Sequence, residues 1–530
     1  MPDHVVAVDV GTSSARAGVF DLSGNLLARA ETRIEMNRPQ LNYAEHDSED
    51  IWNAVCQSVR QARLLAAIDP ASVAAIGFDA TCSLVVRDTG GRQISVSPSG
   101  QERFDTLVWL DHRAMQEADF CTATKHEVLD HSGGFMSPEM QMPKLMWLKK
   151  YLPETWKNAG YFFDLADFLT WKATGLTARS LCTLTAKWNY LSHQTKGWQA
   201  DFLQQIGLDD MLEKGSLPDR AVPVGVAIGG LTADAATELG LTSRCCVASG
   251  LIDAYAGALG LLARYGGEGD DVGRRHALIA GTSSCIVAFS KEKRPSRTLW
   301  GPYYSAVFPD LWLVEAGQSA AGALLDHVVR MHAAGGEPTT ELHRKIVERI
   351  DELRAAQGPA FGARLFVLPD FHGNRSPLAD PHAVGVISGL TLDTSFDGLC
   401  ALYWRTGVSI ALGLRHILEA MAKLGYRCDT LHLAGGHVKN AMLIELYADV
   451  TGCKILVPAM SETVLLGTGM SAAVACGAYP DLQTAGISMS SVTVELYPNP
   501  HLREVYQRDY ECMLAMYRHR AELEMISAGV

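Results

Sequence analysis

The chain has 530 residues, 48% of them apolar and 20% charged, and carries a formal net charge of −13. This is a globular composition too long for one ordinary core, and it predicts roughly two to four domains. The acidic balance repels phosphate backbones at long range and so argues against a nucleic-acid partner, while leaving room for a local basic pocket around a small phosphate.

In chain order, "HVVAVDVG" reads as a buried strand, followed by the strands "ARAGVFD" and "LLARAETRI" across the turn-forming "LSGN". From Asp47 the pattern becomes helical: Asp47 caps, Asp50 sits in the first turn, and Ile51, Val55 and Val59 recur at spacing four. "AAIGFDA" returns to strand, so the opening is a mixed α/β layer. The second half repeats the plan. "HALIAG", "CIVAF" and "LWLVEAG" read as strands, and a helix is predicted from about Ser319 to Met331. "TLHLAGG" is a strand into a glycine turn, "KNAMLIELYADVTG" a helix, "KILVP" a strand, and "ETVLLGTGMSAAVACGA" a small-residue helix suited to close packing. The Gly-rich, charged stretch from Ala263 to Arg275 marks the boundary, which divides the chain into domains 1–265 and 274–530.

Gly-Thr-Ser-Ser occurs twice, from Gly11 and from Gly281, each time between two apolar strands and about half a chain apart. Glycine after a strand lets backbone approach a ligand, and Thr and Ser hydroxyls with exposed amides donate to phosphate oxygens. Two such turns at matching points of two half-chains predict a nucleotide held between two related α/β domains. There is no G-x-x-x-x-G-K-[ST], no G-x-G-x-x-G opening a helix after a strand, and no H-E-x-x-H. Asp9 directly precedes the first turn, where a carboxylate repels phosphate unless a cation intervenes; Mg²⁺ is the natural one. The alternative is an aspartate capping its own turn. Asp253, in "ASGLIDAYAGALG", is either a helix N-cap or a base at a strand end that takes the proton of a sugar hydroxyl.

The ordered set "DVGTSSARAGVFD", "GLIDAYAGALG", "AGTSS", "GNRSP" and "AGGHVKN" resembles the FGGY family of carbohydrate kinases over nearly the whole chain. The resemblance implies duplicated ribonuclease-H-like, actin-like ATPase domains with sugar and ATP in an interdomain cleft, whose closure would exclude water. It implies Asp253 as the catalytic base and Asp9 facing the Mg²⁺–phosphate group. It implies nucleotide contacts from Thr12, Ser13, Ser14 and Arg16 in the first loop and Gly281 and Thr282 in the second. Gly322 and Asp326 fall where the family has further nucleotide contacts, Asp326 departing from a Gln; Gly435, Gly436 and Asn440 match the adenosine side. Glu445 stands where many relatives carry Gln, and Gln141 breaks the small residue of the signature around Lys144 and Trp147.

On the sugar side, Thr81, Cys82 and Ser83 replace the Gln-Met-His of xylulokinase, and "WLDHRA" supplies Asp111 and His112 as in pentulose kinases. His112 reads equally as a packed neighbour, and Lys187 either as a substrate contact or as a solvated lysine. "DLADFLTWKATG" and "TLTAKWNY" look like kinases of D-ribulose. The expectation is an ATP- and Mg²⁺-dependent D-ribulokinase. L-ribulose, xylulose or ribitol is the alternative substrate, and a non-catalytic actin-like ATPase the remote one. The resemblance is compatible with a homodimer. No run of about 18 apolar residues and no leader before "VVAVDVG" is present, so neither a membrane span nor a signal peptide is expected. The twelve cysteines, without a C-x-x-C pair, read as buried free thiols of a cytoplasmic protein.

Overall fold

The computed structural model describes residues 3–267, 272–358, 361–490 and 493–528. The predicted boundary segment therefore lies partly, at 268–271, outside the described residues. The chain forms two compact units, the first from residues 1–272, 289–314 and 462–491 and the second from 273–288, 315–461 and 492–530.

In the first unit the apolar runs around Asp9 become the strand His4–Val10, paired antiparallel with Ser14–Asp21, which pairs antiparallel with Leu26–Arg33. On its other side His4–Val10 pairs parallel with Val73–Ala80, so that Asp9 stands opposite Asp79. The sheet continues through Cys246–Ala248 to Ala227–Gly230, and Leu251–Ile252 also pairs with Val73–Ala80. The helix Ser48–Leu65 covers one face, and Asp47 caps it by accepting from the Glu49 and Asp50 amides. A second, four-stranded antiparallel sheet (Glu45–His46, Thr106–Leu107, Leu84–Asp88, Ala159–Asp164) carries its own apolar core.

The helix Thr463–Ala475 is distant in sequence yet packs into this first unit, as its run of Gly, Ala, Thr and Ser allows. A Cβ on Gly467 would stand 2.0 Å from the Ala256 carbonyl oxygen, and one on Gly260 would stand 2.1 Å from that of Thr463. The helices Asp253–Leu262 and Thr463–Ala475 thus touch backbone to backbone.

In the second unit Arg275–Ala280 pairs antiparallel with Ser284–Ser290 and parallel with Thr430–Ala434, which pairs parallel with Lys454–Pro458. Strand, Gly-Thr-Ser-Ser turn, antiparallel strand, then a parallel neighbour is the plan of the first unit again. The helix expected from Ser319 begins at Gly322. The preceding residues are held by the second turn instead: Ala321 N donates to Thr282 O, and Gly322 N to Gly281 O. The helix Ala441–Thr451 starts after Asn440, whose side chain caps it, and stops at Gly452 in the left-handed conformation. All twelve cysteines are free, but Cys246, Cys285, Cys428, Cys476 and Cys512 are only partly buried, so the expectation of uniformly buried thiols holds for the rest. Among the described residues no helix is long and apolar enough to cross a membrane.

Candidate active site

In the first unit, the turn after His4–Val10 leaves Ser13 exposed and Thr12 and Ser14 half-buried, so its polar groups reach solvent. Thr12 is fixed by accepting from Trp109 Nε1 at 3.0 Å, and the turn closes through Gly11 N donating to Ser14 O. Asp9 does not cap this turn. It lies on the strand, 1% exposed, ion-paired with Arg16. Burial raises its carboxyl above the ordinary value, and the Arg16 guanidinium opposes that shift.

Two residues not singled out in the sequence complete the group. Asp79 is fully buried on the neighbouring strand, and Thr468 Oγ1 donates to its Oδ2 at 2.5 Å. Burial and the adjacent Asp9 charge hold the Asp79 carboxyl well above the carboxylate range. The signal was present: "GFDA" ends a buried strand on an aspartate as "VDVG" does. Among the described residues no cluster of three or more His, Cys, Asp or Glu side chains holds a metal by itself. The oxygen-only donors here, with Asp79 Oδ1 buried and lacking a hydrogen-bond donor, fit a hard divalent cation completed by nucleotide phosphates and water.

Asp253 is the first residue of the helix Asp253–Leu262, whose cap position is Ile252, so the N-cap reading is set aside. Its Oδ1 accepts from the Ala254 amide at 2.6 Å, and the residue is only partly buried. Asp253, Lys187, Asp164 and Lys144 all lie near enough to Cys82 to act electrostatically on its thiol, which burial pushes up to about 12. Lys187 is not a solvated lysine. It is 3% exposed, with its Nζ 4.5 Å from the Trp300 ring centroid.

The segment Thr81–Ser83 is largely buried, and its hydroxyls are engaged with each other (3.1 Å), with the Trp109 amide also donating to Ser83 Oγ. Behind it Gln141 Nε2 donates to Cys82 O and to Asp164 Oδ2, both at 3.1 Å. The atypical Gln141 is therefore a buried strut.

Asp111 is fully buried and accepts from Ala44 N (2.6 Å) and from Arg113 Nη2 (2.7 Å). Arg113 also reaches Glu45 at 2.8 Å, and its guanidinium lies over Tyr43 and Trp147. Asp111 is thus part of an internal ion cluster. His112 points elsewhere: its side chain is 43% exposed and stands 3.6 Å from Glu139.

In the second unit the predicted nucleotide residues converge. A Cβ on Gly322 would meet Gly281 O at 2.7 Å and His437 Nε2 at 3.2 Å; one on Gly435, at φ 90°, would meet Ala280 O at 2.4 Å. Bare backbone is required at both positions for the loops to close on each other. A Cβ on Gly281 itself meets no described atom within 4 Å, so the loop faces open space. Asp326 accepts from or pairs with His343 Nε2 at 3.0 Å, and His343 Nδ1 contacts Tyr403 OH at 2.8 Å. Glu445, without an account in the sequence, pairs with Arg354, whose guanidinium lies 4.2 Å from the Trp404 ring centroid.

Residues 4–260 match the FGGY family of carbohydrate kinases, N-terminal domain, and residues 276–476 match its C-terminal domain. The chain is 42% identical to an FGGY carbohydrate kinase domain-containing protein of Homo sapiens, over 98% of this chain and 97% of that protein. It is 37% identical to a D-ribulokinase of Saccharomyces cerevisiae, over 89% of this chain and 71% of that protein. Among solved structures it is similar to a gluconate kinase from Lactobacillus acidophilus (TM-score 0.82, 19% identity, 97% and 98% of the two chains). A xylulose kinase from Rhodospirillum rubrum is similar too (TM-score 0.81, 21% identity, 98% and 99%). These likenesses show the two-domain, actin-like fold.

Proposed function

The chain belongs to the FGGY family of carbohydrate kinases, and from that premise we propose that it phosphorylates D-ribulose to D-ribulose 5-phosphate, using ATP and Mg²⁺. One observation carries the reading. In a single unit, the partly buried Asp253 and the buried Lys187 both lie near enough to act electrostatically on Cys82, in the segment where the chain departs from xylulokinase. The D-ribulokinase relative supports the choice of sugar.

Asp253 takes the proton from the attacking hydroxyl, its carboxylate aimed by the Ala254 amide. Lys187, held against Trp300, donates to sugar oxygens, and the Thr81–Ser83 backbone shapes the wall. Thr81, Cys82, Ser83 and His112 remain the proposed sugar-side residues, with Asp111 supporting the wall from the internal cluster it forms with Arg113 and Glu45 rather than by direct contact. Thr12, Ser13, Ser14 and Arg16, with Gly281, Thr282, Gly322, Asp326, Gly435, Gly436 and Asn440, are the proposed nucleotide residues. Asp9 holds the cation, which when bound neutralises phosphate charge.

The test is a coupled ADP-release assay across D-ribulose, L-ribulose, D-xylulose, ribitol and glycerol. kcat/KM is expected to be highest for D-ribulose and at least about 100-fold lower for glycerol, the scale of a few lost hydrogen bonds. D-xylulose or glycerol turning over ten times better than D-ribulose would overturn the assignment of sugar and leave the kinase.

A further inference from the structure

We propose that Asp79 is a second carboxylate anchor of the divalent-cation site, held in place by Thr468. This rests on the reading of Asp9 as the cation's carboxylate. Asp79 ends a strand whose inner residues, Ile76 and Phe78, are completely buried, and Asp79 itself is 0% exposed. An ionised acid removed from water at such a place is destabilising unless donors, a proton or a cation compensate.

The compensation present is incomplete. Thr468 Oγ1 serves Oδ2, but Oδ1 finds no hydrogen-bond donor among the described residues. Its neighbour across the strand pair is Asp9, close enough for a protonated Asp79 to donate to it, and Asp253 adds a further negative charge nearby. The neighbouring guanidinium, that of Arg16, pairs with Asp9. The two carboxyl groups stand side by side at the C-terminal ends of parallel strands, where open α/β sheets bind ligands.

Without metal, a proton on Asp79 satisfies the pair, since burial and the Asp9 charge hold its carboxyl above the carboxylate range; a further positive charge that takes oxygen ligands would displace that proton. A divalent cation held through one or two carboxylates with phosphates and water is such a group. Thr468 then has a function: its hydroxyl fixes the carboxylate orientation from the helix Thr463–Ala475, which is itself locked against the helix that begins with Asp253.

The experiment uses the full chain with saturating ADP and follows Mn²⁺ binding by electron paramagnetic resonance. The variants are Asp9→Asn, Asp79→Asn and Thr468→Val. Asp79→Asn is expected to weaken Mn²⁺ binding about 10- to 100-fold, the range for loss of a group that orients or supports a metal, without weakening metal-free ADP binding. Thr468→Val, which keeps the carboxylate and loses its support, is expected to weaken Mn²⁺ binding at least about threefold.

Mn²⁺ affinity within twofold of wild type in Asp79→Asn, with Asp9→Asn weakened, overturns the Asp79 proposal and leaves the Asp9 reading intact. Unchanged affinity in Asp9→Asn with weakening in Asp79→Asn overturns the Asp9 reading and supports Asp79. Should Asp79→Asn not fold, Thr468→Val decides: unchanged affinity overturns the proposal, and weakened affinity supports it.

Discussion

Asp253 shows how a single residue acquires its chemistry from backbone. The first helical position lets its carboxylate accept from the Ala254 amide while staying short of full burial, so it can both accept a proton and be aimed. Asp253→Asn is expected to keep ADP and sugar binding and to lower kcat by about 10²–10⁴-fold; more than about a third of wild-type kcat would remove the residue from the mechanism.

Asp164 makes the opposite case. Burial, then the Asp167 charge, raise its carboxyl from 3.8 to about 8, with Gln141 and Trp188 donating to it. The folded chain therefore keeps a proton that the unfolded chain loses. The stabilisation is complete below the unfolded value and is lost as pH rises from about 4 toward about 8, at up to about 1.4 kcal/mol per pH unit from this group. Urea unfolding at pH 5, 6.5 and 8 should show wild type losing more stability over this window than Asp164→Asn. Equal pH slopes for the two proteins would count against a protonated Asp164.

At the scale of elements, the glycines in "VLLGTGMSAA" and "DAYAGALG" announce close helix packing, and that much was readable. That each helix is the other's partner was not, because about 200 residues separate Leu262 from Thr463 and the contact depends on both backbones having no Cβ at the crossing. In an ordinary helix interior Gly→Ala gains about 1 kcal/mol. At Gly467 or Gly260 the added methyl meets a carbonyl oxygen, and a loss of about 1–3 kcal/mol is expected instead. Chemical unfolding of Gly467→Ala and Gly260→Ala measures the sign, and a gain in either would contradict the crossing. Glu445 belongs to this scale as well. Arg354, Trp404 and Glu445 come from the helices Thr340–Gln357, Phe396–Lys423 and Ala441–Thr451, and their ion pair and ring contact tie three helices together.

At the scale of the whole molecule, the compact units are not two consecutive halves. Residues 462–491 return to the first unit and supply buried Leu465, Leu466 and Met470 as well as the hydroxyl on Asp79. A fragment ending at residue 272 leaves the apolar surface that this helix covers facing water. It is expected to bind a hydrophobic dye and to lack a cooperative thermal transition, whereas the same fragment with 462–491 joined by a flexible linker recovers one. Equal, cooperative melting of both fragments would show that the returning helix is dispensable.

The duplicated strand–turn–strand, the strands around it, and the placement of Asp9, Asp253, Gly281 and Gly435 at strand ends and turns were legible in the sequence alone. Each depends on local pattern: apolar periodicity, glycine at a turn, an acid at a strand end. What the tertiary structure decided is which of these groups meet and which are spent internally. Asp79 beside Asp9 follows from strand order, and the withdrawal of Asp111 into a pair with Arg113 follows from burial. The engagement of Lys187 by Trp300 and of Glu445 by Arg354 follows from packing between distant segments. Partner choice for a charge is a matter of distance in space and exclusion of water. Neither is encoded at the charge's own position, so these pairings became visible only once the strands and helices were packed.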